Sequence, residues 1–249
     1  MSAARFDDLT DVYEAMIDWP KRLANEGPFY RRLFERIGVR SVVDVACGTG
    51  RHAAMFRSWN LRVEGSDIAG RMIDRARASF GESPDLRWNV RGFEQPIAPP
   101  EPFDVALCVG NSLALAPDRL TIQAAIRQML AAVRPGGAIV LQVLNLWRLP
   151  DGPCVWQKCQ RAVLPQGEVL IVKGVHRCDR RGYVELLVAH LAEDAPMENE
   201  SVPFLGLEVT ELEQMAITAG AARVQCFGGY KDQPYERETS ADLIVVAET

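Results

Sequence analysis

Long apolar runs are absent from this 249-residue chain. No stretch approaches the ~20 consecutive apolar residues that cross a bilayer. The opening residues, MSAARFDDLTDVYEAM, have neither the basic start nor the apolar segment of a secretory leader, so no membrane partner is expected and the location expected is cytoplasmic. Basic runs are absent too. With 28 Lys and Arg against 33 Asp and Glu, the net charge is −5, which favours solubility and speaks against a sequence-independent grip on nucleic-acid phosphates. Histidine is scarce: His52, His176 and His190 form no H-x-x-x-H pair. Six cysteines are scattered, and Cys154 and Cys159 lack the second Cys or His pair of a zinc ribbon; free thiols and no metal are expected. No internal repeat or low-complexity linker divides the chain. What is present, 48% hydrophobic and 24% charged residues, suffices for one α/β domain over 1–249 with a full core.

Short apolar runs alternate with amphipathic helical segments, the rhythm of βαβ units in a mostly parallel sheet. Strands are predicted at 41–46, 61–65, 86–90, 103–109 and 138–143, and helices at 50–58, 70–80 and 118–133. In the last helix Leu120, Ile122, Ala125, Ile126, Met129, Leu130 and Val133 recur at three- and four-residue steps. Arg134-Pro135-Gly136-Gly137 is expected to stop it. Beyond the fifth strand, β-rich runs at 169–176 and 183–191 flank a turn-like Cys178-Asp179-Arg180-Arg181-Gly182, which predicts an antiparallel hairpin. The region of about 146–206 reads as an insertion. A helix at 210–219 and strands at 223–227 and 241–247 then return to the main sheet.

The chemistry begins at Val42-Val43-Asp44-Val45-Ala46-Cys47-Gly48-Thr49-Gly50. A strand that runs into a glycine-rich turn at a helix start lets a polar ligand approach the backbone, because Gly48 and Gly50 carry no Cβ. Seventeen residues beyond Gly50, at the end of the second strand, Asp67 is placed to accept hydrogen bonds from both hydroxyls of a ribose. Glycine turn and ribose acid together mean a nucleoside cofactor. Which nucleoside stays open on those features, since Gly48-Thr49-Gly50-Arg51-His52-Ala53 also satisfies the G-x-G-x-x-G/A dinucleotide pattern. Two details favour S-adenosylmethionine (SAM) over NAD. The first strand carries a charged Asp44, useful against the sulfonium and amino groups, and no second nucleotide-binding half follows.

These residues resemble the class I SAM-dependent methyltransferases. Asp44-Val-Ala-Cys-Gly-Thr-Gly50 looks like the family's first motif, Glu64-Gly-Ser-Asp67 with Met72 like its second, and Arg134-Pro-Gly-Gly137 like the turn before its fifth strand. Cys108-Val-Gly-Asn-Ser112 and Gly228-Gly-Tyr230 extend the resemblance to glycine N-methyltransferase and the antibiotic-sugar N-methyltransferases. The resemblance implies a Rossmann-like seven-stranded sheet in the order 3-2-1-4-5-7-6, strand seven antiparallel. It also implies a helical cap over 1–40 and an inserted β lid. By the same resemblance Tyr13 and Arg22 of the cap would reach the methionine half of SAM, Ala46, Gly48 and Val109 would contact it through backbone, and Ile68, Gly92 and Phe93 would hold the adenine. Gly92 departs from the family, which often has a polar residue there; backbone, water or Asn89 would have to serve instead.

On the substrate side the resemblance points to Asn111, beside the transferred methyl, and Tyr230. His176, His190, Glu185 and Tyr230 are the available bases, the histidines fitting ordinary hydrogen-bonded positions better than catalytic ones. Leu115 stands where the family often has histidine, and Leu144 where glycine N-methyltransferase carries its carboxylate-binding arginine. The expected acceptor is therefore a small molecule other than glycine, methylated on N or O. Homo-oligomerisation is left open. Two alternatives are a SAM-binding regulatory or partner-activating protein without turnover, and a NAD-dependent oxidoreductase.

Overall fold

The computed structural model describes residues 10–192 and 197–249. The central sheet is assembled from β1 (Ser41–Val45), β2 (Arg62–Asp67), β3 (Leu86–Val90), β4 (Phe103–Cys108), β5 (Val133–Leu144), β10 (Arg223–Phe227) and β11 (Asp242–Glu248). Its order is β10-β11-β5-β4-β1-β2-β3, with β11 antiparallel to both neighbours, which is the expected 3-2-1-4-5-7-6. Every residue of β1 and β4 is buried, as central parallel strands covered on both faces must be. On one face α2 (Trp19–Ile37), α3 (Arg51–Ser58) and α4 (Gly70–Phe80) pack around Tyr30, Phe56 and Ile73. On the other, α5 (Arg119–Ala132) and α6 (Val209–Thr218) pack around Ile122, Met129 and Leu212. Of the apolar residues spaced along 120–133, Leu120 is exposed while the others pack inward. The carboxyl ends of β1, β2, β4 and β5 thus open at one edge, where ligands bind in sheets of this type.

Two further details differ from expectation. The fourth-to-fifth-strand connection is tighter than an Arg-Pro-Gly-Gly stop requires: α5 ends at Ala132 and Val133 already pairs with Phe103. The glycines are still needed there, since a Cβ on Gly137 would come 2.5 Å from the Asp104 carbonyl. The insertion is also larger than one hairpin. β6 (Val155–Leu164), β7 (Gly167–Cys178), β8 (Arg181–His190) and β9 (Met197–Leu205) form a separate antiparallel sheet in that order. The outer pair escaped prediction because β6 exposes even apolar residues such as Val155, Trp156 and Val163 and β9 opens on the polar run Glu198-Asn199-Glu200-Ser201, so neither carries a clean period-two pattern.

A short helix, α1 (Thr10–Met16), wedges between this second sheet and the rest. Val12 and Met16 pack on Leu164, Val169, Ile171, Leu186 and Val188. The Gln160 side-chain amide donates to the Ala15 carbonyl at 2.8 Å and Lys158 donates to that of Met16. Among the described residues no helix is long and apolar enough to cross a membrane.

Candidate functional site

Past Val45 the backbone enters the left-handed region at alternate residues, Ala46 (φ 59°), Gly48 (φ 55°) and Gly50 (φ 79°). The two glycines serve different ends. A Cβ on Gly50 would lie 2.5 Å from the Trp88 ring, so that glycine admits a core side chain. A Cβ on Gly48 would instead face Tyr13, 3.6 Å from its Cε1. Tyr13 is held over the turn because Glu14 accepts from the Thr49 hydroxyl (2.7 Å) and the Trp19 indole (3.1 Å) and pairs with Arg51.

Asp67 closes β2 beside this turn. Its two oxygens accept the backbone N–H groups of Gly48 and Ala69, each at 2.9 Å, and an ionised carboxylate has about two acceptor directions per oxygen. Next to it Ile68 leaves 44% of its surface exposed, and Gly92 and Phe93 continue the same wall. The Gly92 N–H donates to the Gln95 amide oxygen at 2.8 Å.

Opposite lies a buried charge network. Glu26 accepts from Arg22 Nε at 2.7 Å and meets His52 Nε2 at 2.7 Å. Burial opposes the Arg22 charge, but Glu26 and Tyr13 more than restore it, and its proton is held more tightly than usual. Burial also pushes the Tyr13 hydroxyl up to about 12, although the Arg22 charge works the other way. Behind them Asp44 is 1% exposed, and neither carboxylate oxygen has a hydrogen-bond partner among the described residues. Burial pushes its carboxyl up to about 6.

That burial has a pH signature. An acid whose folded pKa lies above its unfolded value of about 3.9 destabilises the fold as pH rises through about 4 to 6, because the unfolded chain ionises first. Holding Asp44 ionised near neutral pH therefore costs about 3 kcal/mol. Asp44→Asn should raise the melting temperature of the ligand-free protein at pH 8 and have little effect near pH 4. Equal melting shifts at both pH values would refute the burial cost.

The remaining wall joins both sheets. The Asn111 amide oxygen accepts the Leu144 N–H at 2.9 Å, which fixes the amide and leaves its NH₂ as the group available to a ligand. Gln142 accepts from Gly110 (2.6 Å) and Asn111 (3.2 Å) through its oxygen and donates to Asp242 at 2.8 Å. The Tyr30 hydroxyl lies 3.5 Å from that of Tyr230, whose proton burial makes harder to lose. Val175, Val184, Leu186 and Val202 of the antiparallel sheet close the space with Leu115 and Leu144. The result is one cavity of about 530 Å³.

Tyr13, Arg22, Ala46, Gly48, Asp67, Ile68, Gly92, Phe93, Asn111 and Tyr230 all line this cavity. Val109 lies outside its lining. Its side chain is 5% exposed in the core and its carbonyl accepts the Ser112 hydroxyl at 2.8 Å, while Gly110, at φ 78°, turns the chain into the wall. His176 bonds Glu185 at 2.9 Å on the second sheet, and neither lines the cavity. Sequence reasoning missed Glu26, Gln142, Asp242 and Lys173, which do line it. Gln142 and Lys173 each interrupt an apolar run, Ala138-Ile-Val-Leu-Gln-Val143 and Val169-Leu-Ile-Val-Lys-Gly-Val175, a signal legible without coordinates.

Residues 42–137 match the family described as methyltransferase domain. A glycine/sarcosine N-methyltransferase of Parasynechococcus marenigrum (strain WH8102) is 29% identical over 157 residues, 59% of this chain and 52% of that protein. A dTDP-4-amino-2,3,4,6-tetradeoxy-D-glucose N,N-dimethyltransferase of Saccharopolyspora spinosa is 29% identical over 150 residues, 58% and 56% of the two. The chain spans about half the length of these curated relatives. Among solved structures, a SAM-bound amino pentose methyltransferase from Micromonospora echinaspora superposes with a TM-score of 0.71 at 22% identity, covering 94% of this chain and 92% of the other. The CcbJ methyltransferase of Streptomyces caelestis gives 0.74 at 18% identity, covering 90% and 94%. These likenesses show the Rossmann-like methyltransferase fold, and they favour neither the regulatory nor the oxidoreductase reading.

Proposed function

We propose that this chain, whose residues 42–137 carry a methyltransferase domain, transfers a methyl group from SAM to an amine nitrogen of a small molecule. One observation carries the reading: the wall that the glycine turn, Asp67 and Ile68 build for a nucleoside continues without a break into an apolar chamber under the second sheet. The relatives acting on glycine, sarcosine and an amino sugar support nitrogen as the acceptor atom.

The residues present fit the cofactor. Asp67, at the end of β2 beside the glycine turn, presents a carboxylate of the kind that accepts ribose hydroxyls. Ile68 and Phe93 offer apolar faces to an adenine, and Gly92, without a side-chain acceptor, leaves its edge to backbone and water. Arg22, fixed through Nε by Glu26, keeps its two terminal nitrogens for a carboxylate. Asp44, with no hydrogen-bond partner for either oxygen among the described residues, offers the negative charge that an ammonium or sulfonium would offset. When bound, SAM supplies an electrophilic methyl on a sulfonium whose thioether is the leaving group.

The chain then has to align the acceptor lone pair with that methyl and exclude water. Asn111 donates through its NH₂ to the acceptor, while its oxygen is locked on Leu144. α1 and the antiparallel sheet act as a lid that keeps the chamber dry, within a single domain. Leu115 and Leu144 make the chamber a poor host for a bare carboxylate, whose burial without a partner costs several kcal/mol.

Free glycine is therefore expected to be a very poor acceptor, and bulkier primary or secondary amines better ones. Asn111→Ala should lower kcat at least about tenfold while leaving SAM affinity nearly unchanged. The assay is methyl transfer from labelled SAM to glycine, sarcosine and a panel of larger amines and phenols, with calorimetry of SAM binding alongside. Efficient glycine turnover would refute the substrate reading, and turnover of phenols alone would move the acceptor to oxygen. Loss of SAM affinity alone in Asn111→Ala would place that residue on the cofactor side.

A further inference from the structure

We propose that Lys173 of β7 is the proton acceptor for the acceptor ammonium, freeing the amine as the nucleophile; this rests on the methyl-transfer reading of the same cavity. Where the antiparallel sheet meets the cavity, Val175, Val184, Leu186 and Val202 give it an apolar face, and Gln157 of β6 is the other polar side chain it contributes besides the lysine. On β7 its inward neighbours Ile171 and Val175 are 0% and 1% exposed. A lysine in such a row is an expensive choice for packing alone, and breaks of this kind cluster at functional positions.

Its neighbours make it a base. Lys158, directly across the β6–β7 ladder, is anchored on the Met16 carbonyl. Arg22 is anchored on Glu26 at 2.7 Å. Lys173 alone of the three has no hydrogen bond or ion pair among the described residues. Leu186, its ladder partner on β8, brings no charge. The other titratable groups around the cavity are Tyr13 on α1, Glu26 on α2, Asp67 at the end of β2, Arg91 just past β3, and Asp242 and Tyr230 on the far side. Burial lowers the proton affinity of Lys173, and Lys158 and Arg22 lower it further. A desolvated amine beside two fixed cations is the arrangement by which proteins make lysine accept protons near neutral pH.

The step balances. An N–H bond of the acceptor ammonium breaks and its proton moves to Lys173 Nζ. The freed lone pair forms the new N–CH₃ bond as the methyl's bond to sulfur breaks, the electron pair staying on sulfur. The product leaves as a methylated ammonium, and Lys173 returns its proton to solvent. A lysine kept charged to bind an acceptor anion is the competing use of the same side chain, and a test with arginine separates the two, because arginine keeps the charge and cannot accept a proton.

Lys173→Met and Lys173→Arg are compared with wild type for kcat and KM across the pH range, using the best amine found. SAM binding is followed by calorimetry as a check on folding. Both variants should lose about a hundredfold in kcat, with acceptor KM changed far less, and the acid-side fall in rate should move up to the pH at which the acceptor amine itself loses its proton. Independently of turnover, trace acetylation of wild type with acetic anhydride, read by peptide mass spectrometry, should show Lys173 titrating at lower pH than exposed Lys21. Rescue by Lys173→Arg, unchanged kcat in Lys173→Met, or titration of Lys173 together with Lys21 would overturn the assignment. If wild type methylates no amine, the methyl-transfer reading fails, and the acetylation titration still judges the lysine.

Discussion

Gly48→Val is expected to leave a folded protein with no measurable affinity for SAM. Gly48 sits at φ 55°, a left-handed conformation that costs an L-residue about 1–2 kcal/mol and a β-branched one more. The new side chain would also point at Tyr13, 3.6 Å from where its Cβ begins. That gap between turn and ring is the passage the proposed function assigns to the methionine half of the cofactor. Three atoms of valine would close it, and Tyr13 cannot retreat far, because Glu14 clamps its helix to Thr49 and Arg51. The Gly48 N–H that Asp67 accepts at 2.9 Å would shift with any backbone relief. Circular dichroism and thermal melting establish that the variant folds, and calorimetry with SAM measures the affinity that remains; Gly48→Ala should lie between wild type and valine. A folded valine variant that binds normally would refute this account of the turn.

The sheet and the nucleoside half of the cavity were legible in the sequence for one reason: their signals are local. Val42 to Gly50 carries a strand, a turn and a helix start in nine consecutive residues, and Asp67 follows at the end of the next strand. Burial of every residue in β1 and β4 writes itself into the chain as mostly apolar runs, broken by Ser41, Asp44 and Asp104. The second sheet was half visible, because β7 and β8 bury an apolar face while β6 lies largely open to solvent and β9 opens on a polar run. The chamber was the least legible part. Glu26, Gln142, Lys173 and Asp242 lie on four elements separated by up to 216 positions, and only the tertiary fold brings them to one cavity. Around Val109 the chain turns left-handed at Gly110 and Asn111, and those two residues line the cavity while Val109 lies buried beside them.

Asp67→Ala should weaken SAM binding at least tenfold, since a hydrogen bond to a charged group contributes roughly 1.5–3 kcal/mol and tenfold is about 1.4 kcal/mol. The geometry adds a complication, because the carboxylate also receives the Gly48 and Ala69 N–H groups at 2.9 Å. Removing it leaves two buried donors without their acceptor and loosens the turn on which the methionine half depends. A bare loss of affinity would therefore not separate ribose recognition from support of the turn. A cycle between the protein acid and the ligand hydroxyls does. Wild type is expected to bind S-adenosylhomocysteine at least about tenfold more tightly than its 2′-deoxy analogue, and Asp67→Ala to bind the two alike, though both weakly. If the variant still prefers the ribose form by the full wild-type factor, Asp67 acts on the turn alone, and the hydroxyls must be read by another group at the end of β2.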